Sequence, residues 1–168
     1  MFEYLGHRQV IAEDLGFMTD TVRQLVKESG FPGMKVLHFM LHFNEMKRVG
    51  AATPENSIVY TGTHDNNTTV GWFTQDIDDA TAAGIAAMLH ADMHDPRDVT
   101  KKLISYAYSM NSRLAVIPMQ DVLGLDAQSR MNTPATVGIN WKWCLKEDLM
   151  TDDIAEWLKS LCKKYDRE

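Results

Sequence analysis

The chain has 168 residues, of which 45% are hydrophobic and 24% are charged, a composition typical of one globular domain with a sizeable core. Its net charge of −6 and its lack of a basic run argue against a nucleic-acid surface, and no apolar run reaches the ~20 residues of a membrane span. Cys144 and Cys162 form neither a metal-binding spacing nor a disulfide framework, so we expect a cytoplasmic protein with reduced thiols.

The first part of the chain predicts a strand followed by a helix. The apolar run Gln9–Ala12 is typical of a short strand, and it ends on Glu13 and Asp14. Asp20 is predicted to cap a helix that continues to about Ser29 and stops at Gly30. The expected apolar face of this helix is formed by Val22, Leu25 and Val26.

Two further strands are predicted on either side of a long loop. Met34–Phe39 is the second strand, and Leu41–Ser57 has no clear periodicity, which indicates a loop. Loops of this length in a compact domain are usually functional or mobile. Ile58–Thr63 is the third strand, and it ends at His64 and Asp65.

The second half predicts three helices and one strand. In order, these are a helix over Asp78–His90, a helix that begins at Pro96 with Asp95 as its cap, a strand over Leu114–Ile117, a loop over Gly124–Asn140 and a helix capped by Thr151. The helix that begins at Pro96 has an i, i+4 apolar face of Val99, Leu103, Ala107 and Met110. The last helix is expected to bury Ile154, Leu158 and Leu161.

Polar residues lie at or just after the end of each of the four predicted strands. They are Glu13 and Asp14, then His38 and His42, then His64 and Asp65, then Gln120 and Asp121. This alternation predicts an α/β fold with a parallel sheet. A doubly wound sheet typically has a Gly-rich phosphate-binding loop after its first strand, and this sequence has none there. The pattern instead indicates half of an eight-stranded (β/α)8 barrel, whose active site lies at the carboxyl ends of its strands.

Two strand-end carboxylates, Glu13 and Asp65, are candidates for one pocket. Paired carboxylates carry out glycosidic-bond chemistry, in which one protonates the leaving oxygen and another stabilises the developing positive charge. Structural alternatives remain open at this stage. Glu13 or Asp14 would cap the helix near Asp20, and Asp65 would cap the helix that follows it.

Other chemistries have weaker support in the sequence. His38/His42 and His90/His94 have i, i+4 spacing, but neither pair carries the glutamate of a zinc-protease motif, so we expect no metal site. Trp141 and Trp143 alternate, so only one of them can face a pocket. An indole stacks well on a sugar ring, but a tryptophan is more often a packing residue. A serine-hydrolase elbow is absent from the sequence.

Six motifs occur in order along the chain: Ile11-Ala12-Glu13-Asp14-Leu15-Gly16, Pro32-Gly33-Met34-Lys35-Val36-Leu37, Pro54-Glu55-Asn56-Ser57, Tyr60-Thr61-Gly62-Thr63-His64-Asp65-Asn66, Ala115-Val116-Ile117-Pro118-Met119-Gln120-Asp121 and Arg130-Met131-Asn132-Thr133-Pro134. This series resembles the amylomaltase family of 4-alpha-glucanotransferases, glycoside hydrolase family 77 of the alpha-amylase superfamily. The resemblance extends from about Val10 to Tyr165. It implies that residues 1–168 are the second half of a barrel, strands five to eight with their helices.

The resemblance also implies residue roles. Glu13 matches the general acid/base, and Asp65 matches the carboxylate that holds sugar hydroxyls and favours the distorted transition state. Substrate contacts are expected from His64, Asn132, Gln120, Asp121 and Trp141, with Gln120 and Asp121 in supporting positions. The implied reaction is the retaining transfer of alpha-1,4-glucan segments between maltooligosaccharides, without a cofactor.

The sequence departs from the family pattern in two places that matter. The segment Asn44–Gly50 lacks the aromatic and His-Asn-Tyr residues of the family, and no Arg-x-Asp nucleophile motif precedes Val10. We therefore expect a C-terminal half that is inactive alone and that self-associates through exposed barrel edges. The alternatives are a non-catalytic glucan-binding or interaction fragment and a metal-dependent hydrolase that uses the histidine pairs.

Overall fold

The computed structural model describes residue 6 and residues 8–16, 18–42 and 53–167. In chain order the elements are α1 (Asp20–Ser29), β1 (Gly33–Val36), α2 (Leu37–His42), β2 (Ser57–Tyr60), α3 (Thr69–Gly71), a π-helical turn (Trp72–Asp76), α4 (Asp79–Leu89), α5 (Pro96–Ser109), β3 (Leu114–Val116), α6 (Met119–Val122) and α7 (Asp152–Lys164). Short 3-10 turns lie at Ala127–Ser129 and Glu147–Leu149. None of the helices described is long and apolar enough to cross a membrane.

The sheet is parallel, and its strands lie in the order β1-β2-β3. Lys35 pairs with Val59, and Val59 pairs with Ala115. Ala12, which precedes β1 in the chain, makes a single parallel bridge to Gly33. Its backbone N–H donates to the carbonyl of Pro32, the residue just before β1. The predicted α/β class is therefore confirmed, whereas the predicted strand Gln9–Ala12 is reduced to that one bridge.

The three predicted strands that form the sheet all end earlier than expected, β3 by one residue at Val116 and the other two by three residues. β1 ends at Val36, and the chain turns at once into α2, in which Leu37, His38 and Leu41 are buried at helical spacing. β2 ends at Tyr60 rather than three residues later. A short apolar run fits a strand or a buried helical turn equally well, so the sequence alone does not separate the two. Most of the predicted loop Leu41–Ser57 lies outside the described residues, as does its segment Asn44–Gly50.

The core lies on one face of the sheet, against α4 and α5. Val99, Leu103 and Ala107 of α5 are fully buried, as their spacing predicts, and Ile85 of α4 packs into the same cluster. Trp72 and Phe73 join this core from the π-helical turn, an element that the sequence did not indicate.

Helix α1 differs from the prediction in its cap and in its burial. Thr19, not Asp20, is the N-cap, since its hydroxyl oxygen accepts a hydrogen bond of 3.3 Å from the N–H of Val22. The predicted stop at Gly30 is confirmed, with a left-handed φ of 68°. The apolar face is not buried, however: Leu25 is 64% exposed. The pattern predicts an amphipathic helix but does not say what covers it.

The C-terminal region packs against the connection between α5 and β3. Leu161 of α7 is buried, and Arg167 donates hydrogen bonds to the backbone carbonyls of Tyr108, Met110 and Ser112. These carbonyls lie at and just beyond the end of α5, where helical partners are lacking. The guanidinium of Arg167 thus joins the segment after α7 to the end of α5 and to the connection that follows it. Ile154 and Leu158, also expected to be buried, are partly buried, and Thr151 holds the cap position without a side-chain hydrogen bond.

Candidate functional site

A cleft of about 360 Å³ opens at the carboxyl ends of the strands. Glu13 and Asp65 both line this cleft, and Met34, Tyr60 and Val116 contribute apolar surface to it. The two carboxylates arrive from separate loops, one before β1 and one after β2. The structure thus brings together the pair of acidic residues that the strand ends predict.

Asp14, next to Glu13, is bound to the backbone of β1. Its Oδ1 accepts a hydrogen bond of 2.6 Å from the N–H of Met34. A Cβ on Gly33 would lie 2.5 Å from Asp14 Oδ2, so glycine permits this close approach. Asp14 therefore binds the loop before α1 to strand β1, whereas its neighbour Glu13 lines the cleft. Neither carboxylate caps α1, because Thr19 does so.

Asp65 belongs to a hydrogen-bonded cluster of two loops. Asn132 donates from Nδ2 to Asp65 Oδ1 over 2.6 Å, and His64 Nε2 lies 3.4 Å from the same oxygen. Arg130 joins the two loops, donating from Nη2 to the carbonyl of Asp65 over 2.6 Å and from Nε to that of Asn132 over 2.8 Å. The following helix is capped by Thr68, so the capping alternative for Asp65 is wrong.

Trp141 forms the outer wall of this cluster. Its ring lies 4.9 Å from that of His64, centroid to centroid, and is tilted by 40°. Trp141 is 60% exposed and has a φ of 61°, a left-handed conformation that is rare for a bulky residue and costs roughly 1–3 kcal/mol. The backbone N–H of Trp141 donates to the carbonyl of Met131 over 2.8 Å, and this hydrogen bond fixes the turn. The indole is thereby presented beside the imidazole with much of its face open.

Gln120 and Asp121 line a smaller cavity of about 150 Å³, which His64 and Trp141 also line. Both residues are nearly inaccessible: Gln120 is 7% exposed and Asp121 is 2% exposed. Gln120 donates from Nε2 to the carbonyl of Ser129 over 3.3 Å. Burial raises the pKa of Asp121, while hydrogen bonds from threonine neighbours act in the opposite direction.

The histidine pairs do not form a metal centre in the part of the chain that the structure describes. No group of three or more His, Cys, Asp or Glu side chains is arranged there to hold a metal ion. His38 is buried against Trp72, with the two rings 4.4 Å apart and nearly parallel. His90 is the left-handed C-cap of α4.

Sequence reasoning assigned no role to Arg130, which connects the Asp65 loop to the Asn132 loop. Its two acceptors are backbone carbonyls, and one of them lies 65 residues away in the chain. A contact between residues so far apart in the chain does not affect the local pattern of apolar and polar residues from which elements are predicted. The available signal was its position two residues before Asn132 in the Arg130–Pro134 motif.

Comparison with known proteins identifies the family. A family model described as 4-alpha-glucanotransferase, of glycoside hydrolase family 77, matches residues 2–150. The chain belongs to this family. The resemblance inferred from the six motifs is thus confirmed.

The relatives of this family-77 chain are longer proteins. The 4-alpha-glucanotransferase of Streptococcus pneumoniae is 43% identical over 166 residues, which are 98% of this chain and 32% of that protein. The 4-alpha-glucanotransferase of Aquifex aeolicus is 33% identical over 168 residues, covering 100% of this chain and 34% of the relative. The chain therefore spans about a third of the length of these relatives.

A solved structure supports the same assignment. The amylomaltase from Streptococcus agalactiae, determined in complex with acarbose, superimposes with a TM-score of 0.89 at 32% identity, covering 99% of this chain and 33% of that protein. The fold is thus that of a part of an amylomaltase. The numbering of the strands within the barrel stays a prediction.

Proposed function

We propose that this chain is the part of a 4-alpha-glucanotransferase that supplies the acid/base Glu13 and the stabilising carboxylate Asp65. The observation that carries this proposal is that both side chains line one cleft at the carboxyl ends of parallel strands. Family membership and the acarbose complex of the related amylomaltase support a glucan as the substrate. The substrate class is alpha-1,4-linked maltooligosaccharides.

The chemistry assigned to Glu13 is proton transfer. Its carboxylic acid protonates the glycosidic oxygen as the bond from that oxygen to the sugar C1 breaks and C1 bonds to a carboxylate nucleophile. In the second half-reaction the hydroxyl of an acceptor sugar attacks C1, its proton passes to Glu13, and the nucleophile leaves. The configuration at C1 is therefore retained.

Asp65 is assigned to binding sugar hydroxyls in the distorted transition state. Asn132 and His64 contact Oδ1 of its carboxylate, and the side chain lines the cleft in which the sugar would bind. His64 and Asn132 contribute further polar contacts, and Trp141 offers an exposed aromatic face beside them. For Gln120 and Asp121, burial favours a supporting role behind the cleft over direct contact with the glucan.

The chain alone is not expected to turn over glucans. Among the described residues that line the cleft, Glu13 and Asp65 are the carboxylates, so a third carboxylate to act as nucleophile is lacking. Asp14 does not replace it, because its side chain accepts the hydrogen bond from Met34. Retaining transfer needs that nucleophile on the sugar face opposite the leaving group.

Maltotriose disproportionation, read as glucose release, tests this function. The chain is assayed alone and mixed with the separately expressed N-terminal portion of a family relative. We expect turnover only in the mixture, and we expect Glu13→Gln to lower it by about 10²–10⁴-fold. Glu147→Gln, the same chemical change on an exposed 3-10 turn, serves as the matched control and keeps the rate.

Two results would overturn parts of the proposal. Turnover by the isolated chain would mean that the nucleophile is misassigned. Equal activity of Glu13→Gln and Glu147→Gln in the mixture would exclude Glu13 as the acid. Binding of maltotetraose by the chain without turnover in any mixture would favour the second candidate, a non-catalytic glucan-binding fragment, which the missing nucleophile supports. The cytoplasmic location stays a prediction.

A further inference from the structure

The carboxylate of Asp121 joins two structural elements behind the cleft. Its Oδ2 accepts hydrogen bonds from the hydroxyls of Thr61, at 2.6 Å, and Thr69, at 2.8 Å. Its Oδ1 accepts from the backbone N–H of Thr69 over 2.7 Å. Thr61 directly follows β2, and Thr69 begins α3. Asp121, in α6 after β3, thus holds both ends of the segment between them.

His38 connects a third element to the same group. Its Nε2 lies 3.0 Å from the hydroxyl oxygen of Thr69, and its backbone N–H donates to the carbonyl of Thr61 over 3.1 Å. Because the Thr69 hydroxyl donates its one hydrogen to Asp121, the imidazole must donate from Nε2. Its Nδ1 is then unprotonated, and it has no partner within the described part of the chain. His38, in α2 directly after β1, is therefore fixed in one tautomer.

The segment held in this way carries the candidate site. His64 and Asp65 lie between Thr61 and Thr69, and a Cβ on Gly62 would lie 2.8 Å from the His38 ring. The start of the segment therefore rests directly on the imidazole. The segments that follow each of the three described strands contribute a contact to its position, through His38 after β1, Thr61 after β2 and Asp121 after β3.

We propose that Asp121, Thr69 and His38 are positioning residues that set the geometry of the loop carrying His64 and Asp65 for glucan binding. The inference rests on the proposed function for its glucan, but the loop geometry is measurable without one. None of the three residues is expected to contact substrate, since His38 is 1% exposed, Thr69 0% and Asp121 2%. Their effect would pass through the backbone of residues 61–69.

The test uses Thr69→Val, which keeps the shape of the side chain and removes the hydroxyl. Thr100→Val is the matched control, because Thr100 is equally buried and its hydroxyl, within the described residues, bonds only to the carbonyl of Pro96 in its own helix. Thr69→Ser restores the hydroxyl, and His38→Gln removes the imidazole independently. NMR of the folded 168-residue chain records the His64 ring and the Asn132 side-chain amide, and calorimetry records maltotetraose affinity.

We expect Thr69→Val and His38→Gln to shift the His64 and Asn132 signals and to weaken maltotetraose binding about tenfold. Thr100→Val should change neither measurement, even if it lowers stability by a similar amount, and Thr69→Ser should restore both. Unchanged His64 and Asn132 signals in folded Thr69→Val would overturn the positioning role. If those signals shift but Glu13→Gln and Glu147→Gln are equally active in the mixture assay, the positioning role stands and the proposed function fails.

Discussion

At the scale of single residues, a buried imidazole links the stability of the fold to pH. Burial lowers the pKa of His38 from 6.5 to about 3, because an apolar surrounding disfavours the charged ring. The unfolded chain therefore takes up this proton first as the pH falls. The stability contributed by the neutral ring is fully present above about pH 6.5 and is lost progressively down to about pH 3.

Comparison of the unaltered chain with His38→Gln isolates this effect. The loss amounts to about 1.4 kcal/mol per pH unit below the unfolded pKa, so the unaltered chain should lose roughly 2 kcal/mol more than the variant between about pH 7 and pH 5. Asp121, whose pKa is raised, acts with the opposite sign at lower pH and is present in both proteins. Urea unfolding at several pH values measures the difference. If the free energies of unfolding of the unaltered chain and of His38→Gln changed equally with pH, the burial of a neutral His38 would be contradicted.

At the scale of elements, α1 and α5 show how the same sequence pattern leads to different energetics. Both helices are amphipathic, but α5 buries Leu103 completely, whereas α1 leaves Leu25 64% exposed. Most helical stability comes from the packing of the apolar face and not from intrinsic propensity. Helix α1 should therefore contribute little to the stability of the isolated chain.

One substitution applied to both helices tests this difference. Leu103→Ala should lower the free energy of unfolding by about 2–5 kcal/mol, since it leaves a cavity in the core. Leu25→Ala should change it by less than about 0.5 kcal/mol. Urea denaturation at one low protein concentration measures both values. A large cost for Leu25→Ala would show that α1 is packed against something in solution.

At the scale of the whole molecule, apolar residues remain exposed on the sheet and on the segment beside it. Leu114 is 48% exposed and Val116 37%, and Val10 and Ile11, before β1, are 39% and 44% exposed. In a closed barrel, inward-facing residues of this kind fill the interior. An exposed apolar sheet face is a liability for association.

We therefore expect the chain alone to self-associate, as a dimer or a larger oligomer, with increasing concentration. Val116→Glu should weaken this association by placing a charge on the exposed sheet. Val137→Glu is the matched control, because Val137 is 96% exposed and belongs to none of the strands. Light scattering over a concentration series, with an apolar dye, measures the effect. A monomer without dye binding at every concentration would contradict the prediction.

The sequence by itself determined the features that depend on neighbours along the chain. The i, i+4 apolar spacing of α5, its cap Asp95 and the stop Gly30 of α1 are local, and so is the motif series that places Glu13 and Asp65 at strand ends. These features were enough to predict the α/β class, the family and the pair of carboxylates.

Only the tertiary structure decided where side chains are buried and what they bind. Asp121 accepts hydrogen bonds from residues 52 and 60 positions away, and Arg130 reaches a carbonyl 65 positions away. The burial of an apolar face likewise depends on whether a partner covers it, which separates α5 from α1. The reason is physical: dihedral preferences and periodicity act over a few residues, whereas desolvation and hydrogen bonding act between groups that the fold alone brings together.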